Sequence, residues 1–207
     1  MTLLRVAMES CAKGSIVVGA VVSLRSLRSG GRIGSGQMEA RLSGEALELL
    51  EQKIEIGRWY PMRAFAELIE FEWEMVAGRD PEYARRSGAK GAQRLFQGGR
   101  YQQLDFAKRA GRAESREKLV RQAKLITTIT AMLYNFLEVS VGIDPARPND
   151  LEIVYANAAE FTEPLCYTTE GFMNAINEAQ GSSRRWTSER TARDRVVFRL
   201  VIPARLG

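Results

Sequence analysis

The hydrophobic period of this chain changes at a proline-rich breaker, Asp144-Pro145-Ala146-Arg147-Pro148. Before it, apolar residues recur every three or four positions, the period of a helix that buries one face. After it, Leu151, Ile153 and Tyr155 alternate with Glu152, Val154 and Ala156, the two-residue period of a half-buried strand. Helices in series and then strands make an α+β chain: a helical bundle followed by a small antiparallel sheet, with β-α-β-β order at the C-terminal end. Its 207 residues are read as a single domain over 1–207, helical over about 14–140 and α/β over about 150–203.

The local signals divide the helical part. Ser15 can cap a helix whose stripe is Ile16, Val17, Ala20, Val21, Leu24 and Leu27, stopped by Gly30-Gly31. Arg32 to Gly36 reads as a loop; it lacks the spacing of a phosphate-binding glycine motif. Ser43 caps the next helix, and an extended piece over 53–60 leads to Pro61 in the first turn of another, with Phe65, Leu68, Ile69, Glu72 and Val76 on its stripe. Gly78 ends that helix. Asp80-Pro81 starts one that runs to Gly98-Gly99, and residues 100–113 carry too little periodicity for more than a turn. From Glu114 to about Glu138 the seam Leu119, Ala123, Ile126, Leu133 and Leu137 predicts the longest helix, with Ile126 and Leu133 in the central core. Beyond the breaker, Thr169 can cap a helix reaching Gly181, and Trp186 and residues 196–202 read as strands joined by a polar loop, Glu189 to Asp194.

Residue types exclude much chemistry. The chain has no histidine, so a Ser-His-Asp triad, a Cys-His pair, a His-based zinc site and a haem held by histidine are out. Cys11 and Cys166 are too few for a disulfide framework and read as free thiols in a reducing compartment. No stretch reaches the roughly 20 apolar residues of a membrane span, and the start reads as no signal peptide, so a cytoplasmic location is expected. The net charge of +5 is segregated: residues 79–124 carry 13 basic and 5 acidic side chains, residues 125–181 carry 1 and 8. Since 24 of the 30 basic residues are Arg, a solvated or internally compensated surface is expected, and nucleic acid is not an expected partner. No metal site and no cofactor are expected.

Several short stretches carry a resemblance. Lys13-Gly14-Ser15, Leu42-Ser43 and Gly57-Arg58-Trp59-Tyr60-Pro61, each at a helix start, resemble an uncharacterised family of proteins of about this length found mainly in myxobacteria. Thr169-Glu170-Gly171-Phe172 and Arg195-Val196-Val197-Phe198-Arg199-Leu200 resemble the closing helix and strand of a wider superfamily, which groups haem-nitric-oxide-binding domains, the four-vinyl-reductase ligand domain and TRAPP vesicle-tethering subunits. The resemblance runs over about residues 10 to 202 in element order, and Trp-Tyr-Pro is its one sharp motif. It implies a helical bundle on a small antiparallel sheet, often around an apolar cavity, and a sensory or scaffolding role without catalysis. Haem activity does not carry over to a chain without histidine, and the cysteine cluster of the four-vinyl-reductase relatives is missing.

The candidate ligand-binding residues are Trp59, Tyr60, Phe65, Cys166 and Phe172. Aromatic rings at a helix mouth can wall a pocket; the plainer account has Trp59 and Pro61 fixing the helix start and Cys166 as a small buried thiol. Gly88 and Gly91, with Leu95 nearby, mark a helix face that something approaches closely. A second copy of the chain is the expected neighbour, making a homodimer interface; a tight crossing inside one chain is the competing account. The function expected is a non-enzymatic sensory or adaptor module that binds a small apolar ligand or a protein partner. A structural homodimeric scaffold subunit without a ligand is the alternative.

Overall fold

Ser43 and Asp80 act at the helix starts where the sequence puts caps: Ser43 Oγ accepts from the Ala46 N–H at 3.2 Å, and Asp80 Oδ1 accepts from the Glu82 N–H at 2.9 Å. The structure is a computed structural model that describes residues 9–97, 116–148 and 150–201. Among them are seven helices: α1 (Gly14–Ser29), α2 (Ser35–Glu39), α3 (Gly44–Glu51), α4 (Met62–Met75), α5 (Pro81–Gln97), α6 (Arg116–Leu133) and α7 (Glu163–Ala179). Strands β1 (Cys11–Lys13) and β2 (Trp59–Pro61) pair as a short antiparallel ribbon. Strands β3 (Glu138–Ile143), β4 (Asp150–Ala156), β5 (Trp186–Ala192) and β6 (Arg195–Val201) form an antiparallel sheet in the order β3-β4-β6-β5. The fold is therefore α+β, as the change of period predicts. No helix among the described residues is long and apolar enough to cross a membrane.

The differences from the sequence reading have physical causes. Helix α1 starts at Gly14 rather than after a Ser15 cap, because the chain passes so close there that a Cβ on Gly14 would lie 2.1 Å from the Glu55 carbonyl oxygen. A short helix, α2, occupies part of the expected loop after Arg32. The long helix ends at Leu133 instead of Glu138: Asn135 accepts from the Cys11 N–H and donates to the Glu9 carbonyl, tying the end of α6 to β1. Residues 138–143 then form an edge strand, so the C-terminal order is β-β-α-β-β. Ile126 is in the core as predicted, whereas Leu133 is only half-buried. Helix α7 begins at Glu163, with Pro164 in its first turn and Thr169 in its interior. Glu189 to Ala192 belong to β5, whose edge position suits a polar strand, and the hairpin turn is Arg193-Asp194. Gly98-Gly99 and the expected turn over 100–113 lie outside the described residues, as does the side chain of Leu95.

Packing places two helices over the inner sheet face. Leu151, Ile153 and Tyr155 of β4 and Val196, Phe198 and Leu200 of β6 are buried there. Thr130 of α6 is 2.8 Å from the Tyr155 hydroxyl, and Asn174 of α7 bonds the Trp186 backbone of β5 through both amide atoms. Most of the buried apolar residues form one cluster from Ala12 to Leu200.

Helices α5 and α7 meet backbone to backbone. A Cβ on Gly88 would lie 1.8 Å from the Thr168 carbonyl oxygen, and one on Gly171 would lie 1.9 Å from that of Arg85. The close neighbour of Gly88 is thus this chain's own α7, which corrects the expected dimer contact there: the crossing is internal. Gly91 has open space beside it among the described residues. Gly88→Ala must displace a helix backbone and is expected to cost about 3 kcal/mol or more, the upper range of overpacking. Gly91→Ala is expected to stabilise by about 0.4–1 kcal/mol through helix propensity. Urea unfolding of the two variants checks the contrast, and similar effects at both positions would contradict the crossing.

Candidate functional site

Four of the five pocket candidates belong to the core or pack against it, and the fifth is exposed. Tyr60 is buried, and its hydroxyl accepts from the Glu55 N–H at 2.8 Å. Phe65 on α4 and Cys166 in the first turn of α7 are buried in the core, and Phe172 packs against it half-buried. Trp59 is 41% exposed, with the Lys13 ammonium 4.3 Å from its ring centroid. This corrects Trp59 as a pocket wall. Successive strand residues face opposite ways, so Tyr60 inward puts Trp59 outward, beside its partner in register, Lys13.

Aromatic rings fill the space above the sheet. Tyr155 lies 4.8 Å from Phe198 and 5.4 Å from Phe161 between centroids, and Tyr134 lies 5.4 Å from Phe161. Burial pushes the Tyr155 phenol well above its ordinary range. Cys166 sits at a helix N-terminus, a setting that can activate a thiol, yet burial pushes it up to about 12 and the opposing pull of Arg190 is smaller. It is therefore a protonated core side chain at neutral pH.

Polar groups in this interior fall into two sets. Buried carboxylates are well paired: Glu72 accepts from Ser23 at 2.8 Å and from the Tyr83 hydroxyl at 2.6 Å, and Glu170 is paired with Arg85 at 2.6 Å while accepting from the Ser188 N–H at 2.7 Å. The second set is unpaired. Both amide atoms of Gln122 and of Gln180, Asn177 Oδ1 and Trp186 Nε1 are buried without a hydrogen-bond partner. Each such group costs about 1–3 kcal/mol if nothing meets it. Sequence reading missed this set; the spacing puts Gln122 on the buried seam between Leu119 and Ile126, which marks it as a buried polar residue but not as an unpaired one. On the outer sheet face, a concave site of about 460 Å³ is lined by Ser140, Gly142, Glu152, Val154 and Arg199, and the Arg199 guanidinium bridges Glu152 and Glu189.

No family model matches the sequence, and no curated protein matches it. Solved structures do match. A point mutant of the K. algicida H-NOX protein, in its Fe(II) unliganded state, is similar over 94% of this chain and 98% of its own, with 16% identity and a TM-score of 0.58. A T. tengcongensis H-NOX mutant is similar over 91% and 96%, with 13% identity and a TM-score of 0.52. A structure solved to probe haem distortion in the H-NOX family covers 92% and 94%, with 14% identity and a TM-score of 0.53. The chain has an H-NOX-like fold.

The residues present do not fit a haem held by histidine. An axial ligand is usually His, Cys, Met or Tyr. The chain has no histidine; Cys166 is held as a thiol, and the hydroxyls of Tyr60, Tyr83 and Tyr155 are already hydrogen-bonded. The ring contacts also leave no porphyrin-sized slot among Tyr134, Tyr155, Phe161 and Phe198. No group of three His, Cys, Asp or Glu side chains that could hold a metal ion occurs among the described residues.

The buried thiol gives a pH dependence with a defined sign. Its folded pKa lies above its ordinary value of 9.0, so its contribution to stability is complete below about pH 9 and is lost as pH rises towards the folded value. Above about pH 9 the wild type is expected to lose stability more steeply than Cys166→Ala, by up to about 1.4 kcal/mol per pH unit. Chemical unfolding at a series of alkaline pH values checks this; equal slopes would contradict a buried neutral thiol.

Proposed function

We propose that this chain is a haem-independent sensory or adaptor module that acts by binding, not by catalysis. The observation that carries the reading is the pairing of an H-NOX-like fold, matched over more than nine-tenths of the chain, with an interior lacking histidine and filled by its own rings. The fold supports a signalling role by analogy. The interior argues that the signal is not a gas bound at iron. Catalysis has little support: Glu72 and Glu170 are engaged in structural hydrogen bonds, and the Cys166 thiol is neutral.

Native mass spectrometry of the purified chain tests the reading, followed by absorbance after haemin is added. The expected result is a second component, small molecule or protein partner, held with the chain and no stoichiometric Soret band. One haem per chain would overturn haem independence. The chain alone, in any stoichiometry, would overturn the sensory reading in favour of a structural scaffold.

A further inference from the structure

The two edges of the four-stranded sheet are finished differently. At the β5 edge, α7 lends side chains to the strand backbone: Asn174 accepts from the Trp186 N–H at 2.6 Å and donates to its carbonyl at 3.2 Å, and Glu170 accepts from the Ser188 N–H at 2.7 Å. A register shift between Arg190 and Ala192 interrupts the rest of that edge. Covered backbone and bulges are devices that stop a sheet from growing. The β3 edge carries none of them among the described residues. Glu138 to Ile143 include no lysine and no proline, pair with β4 without a shift, and have no strand on their other side. We propose that this edge, with the hollow beside it, is a docking site for an extended segment of a partner protein that adds to the sheet as a further strand.

The hollow indicates what that segment carries. On the outer sheet face β3 presents Ser140 and Gly142, both exposed, opposite Val154 and Glu152 of β4, which in turn stand opposite Val197 and Arg199 of β6. Residues this small on an edge leave the concave site of about 460 Å³ open at β3, where Asp144 and Pro145 close one end of it. A strand added to β3 brings alternate side chains beside Ser140 and Gly142, at the mouth of the hollow. Main-chain hydrogen bonds then give affinity, and the alternate side chains give selectivity. Val154 and Val197 offer apolar surface there, so apolar side chains fit. Glu138 and Asp144 stand at the two ends of β3. The matching segment therefore has apolar side chains at alternate positions between two basic residues.

A second copy of β3 is a poorer occupant. Antiparallel pairing that keeps inner and outer faces aligned is centred on Val141 or on Ser140 if most of the strand is to pair. The first register sets Glu138 opposite Asp144 at both ends, and like charges so placed repel. The second sets Ser140 opposite Ser140 and Gly142 opposite Glu138, which brings no apolar side chain to the hollow. The site deepens the proposed function by naming the chemistry of a protein partner, and rests on that reading only for the purpose that docking serves.

The test titrates the ¹⁵N-labelled full chain with the end-blocked peptide Lys-Thr-Val-Thr-Val-Thr-Lys and follows its backbone amide resonances. Two further peptides are N-methylated, one at both valines and the other at all three threonines, so that each lacks the N–H groups of one of its edges. The expected result is saturable binding with shifts centred on β3 and slowed exchange of its outward amides. One methylated peptide should bind and the other should not, because an added strand uses only one of its own edges. Glu138→Lys, at an exposed position, should weaken binding about fivefold. No saturable binding, equal behaviour of the two methylated peptides, or binding unchanged in Glu138→Lys would overturn the proposal. So would outward β3 amides that already exchange slowly in the chain alone, since the edge would then be covered without a partner; sedimentation would tell whether a second copy covers it. The peptide comparison alters nothing in the protein, so it decides even if the variant fails to fold. A negative result would leave the adaptor reading intact, because the native mass measurement detects a bound component wherever it sits.

Discussion

The contact on which the rest of the structure depends is the one between the backbones of α5 and α7 at Gly88 and Gly171. Either glycine given a Cβ would push that atom inside 2 Å of a carbonyl oxygen of the other helix. The close approach sets Arg85 beside Glu170, whose carboxylate is 2% exposed and also accepts from both the N–H and the hydroxyl of Ser188 on β5. One buried charge therefore joins α5, α7 and the sheet edge. Removing a single partner from such a pair typically costs about 3–5 kcal/mol, because the other charge is left buried and alone.

With α7 fixed in this way, it and α6 cover the inner sheet face, and their side chains fill the space above it. At one end the Tyr134, Tyr155, Phe161 and Phe198 rings fill the space. At the other, the buried amides and an indole leave hydrogen-bonding capacity unspent. A fold similar to that of the solved H-NOX structures is thus built here around an interior without histidine.

The succession of a helical part and then a strand-rich part was legible because burial on one face imposes a period, and the Ser43 and Asp80-Pro81 helix starts were legible because caps are local chemistry. What failed was set by distant partners. Strand β3 alternates Val139, Val141 and Ile143 with Glu138, Ser140 and Gly142, but it follows an apolar helix so closely that the helix seam was carried on through Leu137 to its first residue. Trp59 faces outward because of its register with Lys13, which lies 46 positions earlier in the chain. Gly88 announced a close approach, but no local pattern says whether the approaching backbone belongs to a second copy or to residue 168 of the same chain. The unmet amide of Gln122 became visible only once the elements around it were assembled, since a glutamine on a seam can also be satisfied by a neighbour.

Native-state hydrogen exchange across α5 and α7 tests the central contact most directly. If the two helices are locked at Gly88 and Gly171, neither can open without breaking the Arg85 and Glu170 pair, and their central amides should exchange with one shared free energy, that of global unfolding. Amides around Gly88 that exchange through a much lower-energy opening than those around Gly171 would show that the helices separate independently, and would contradict the account.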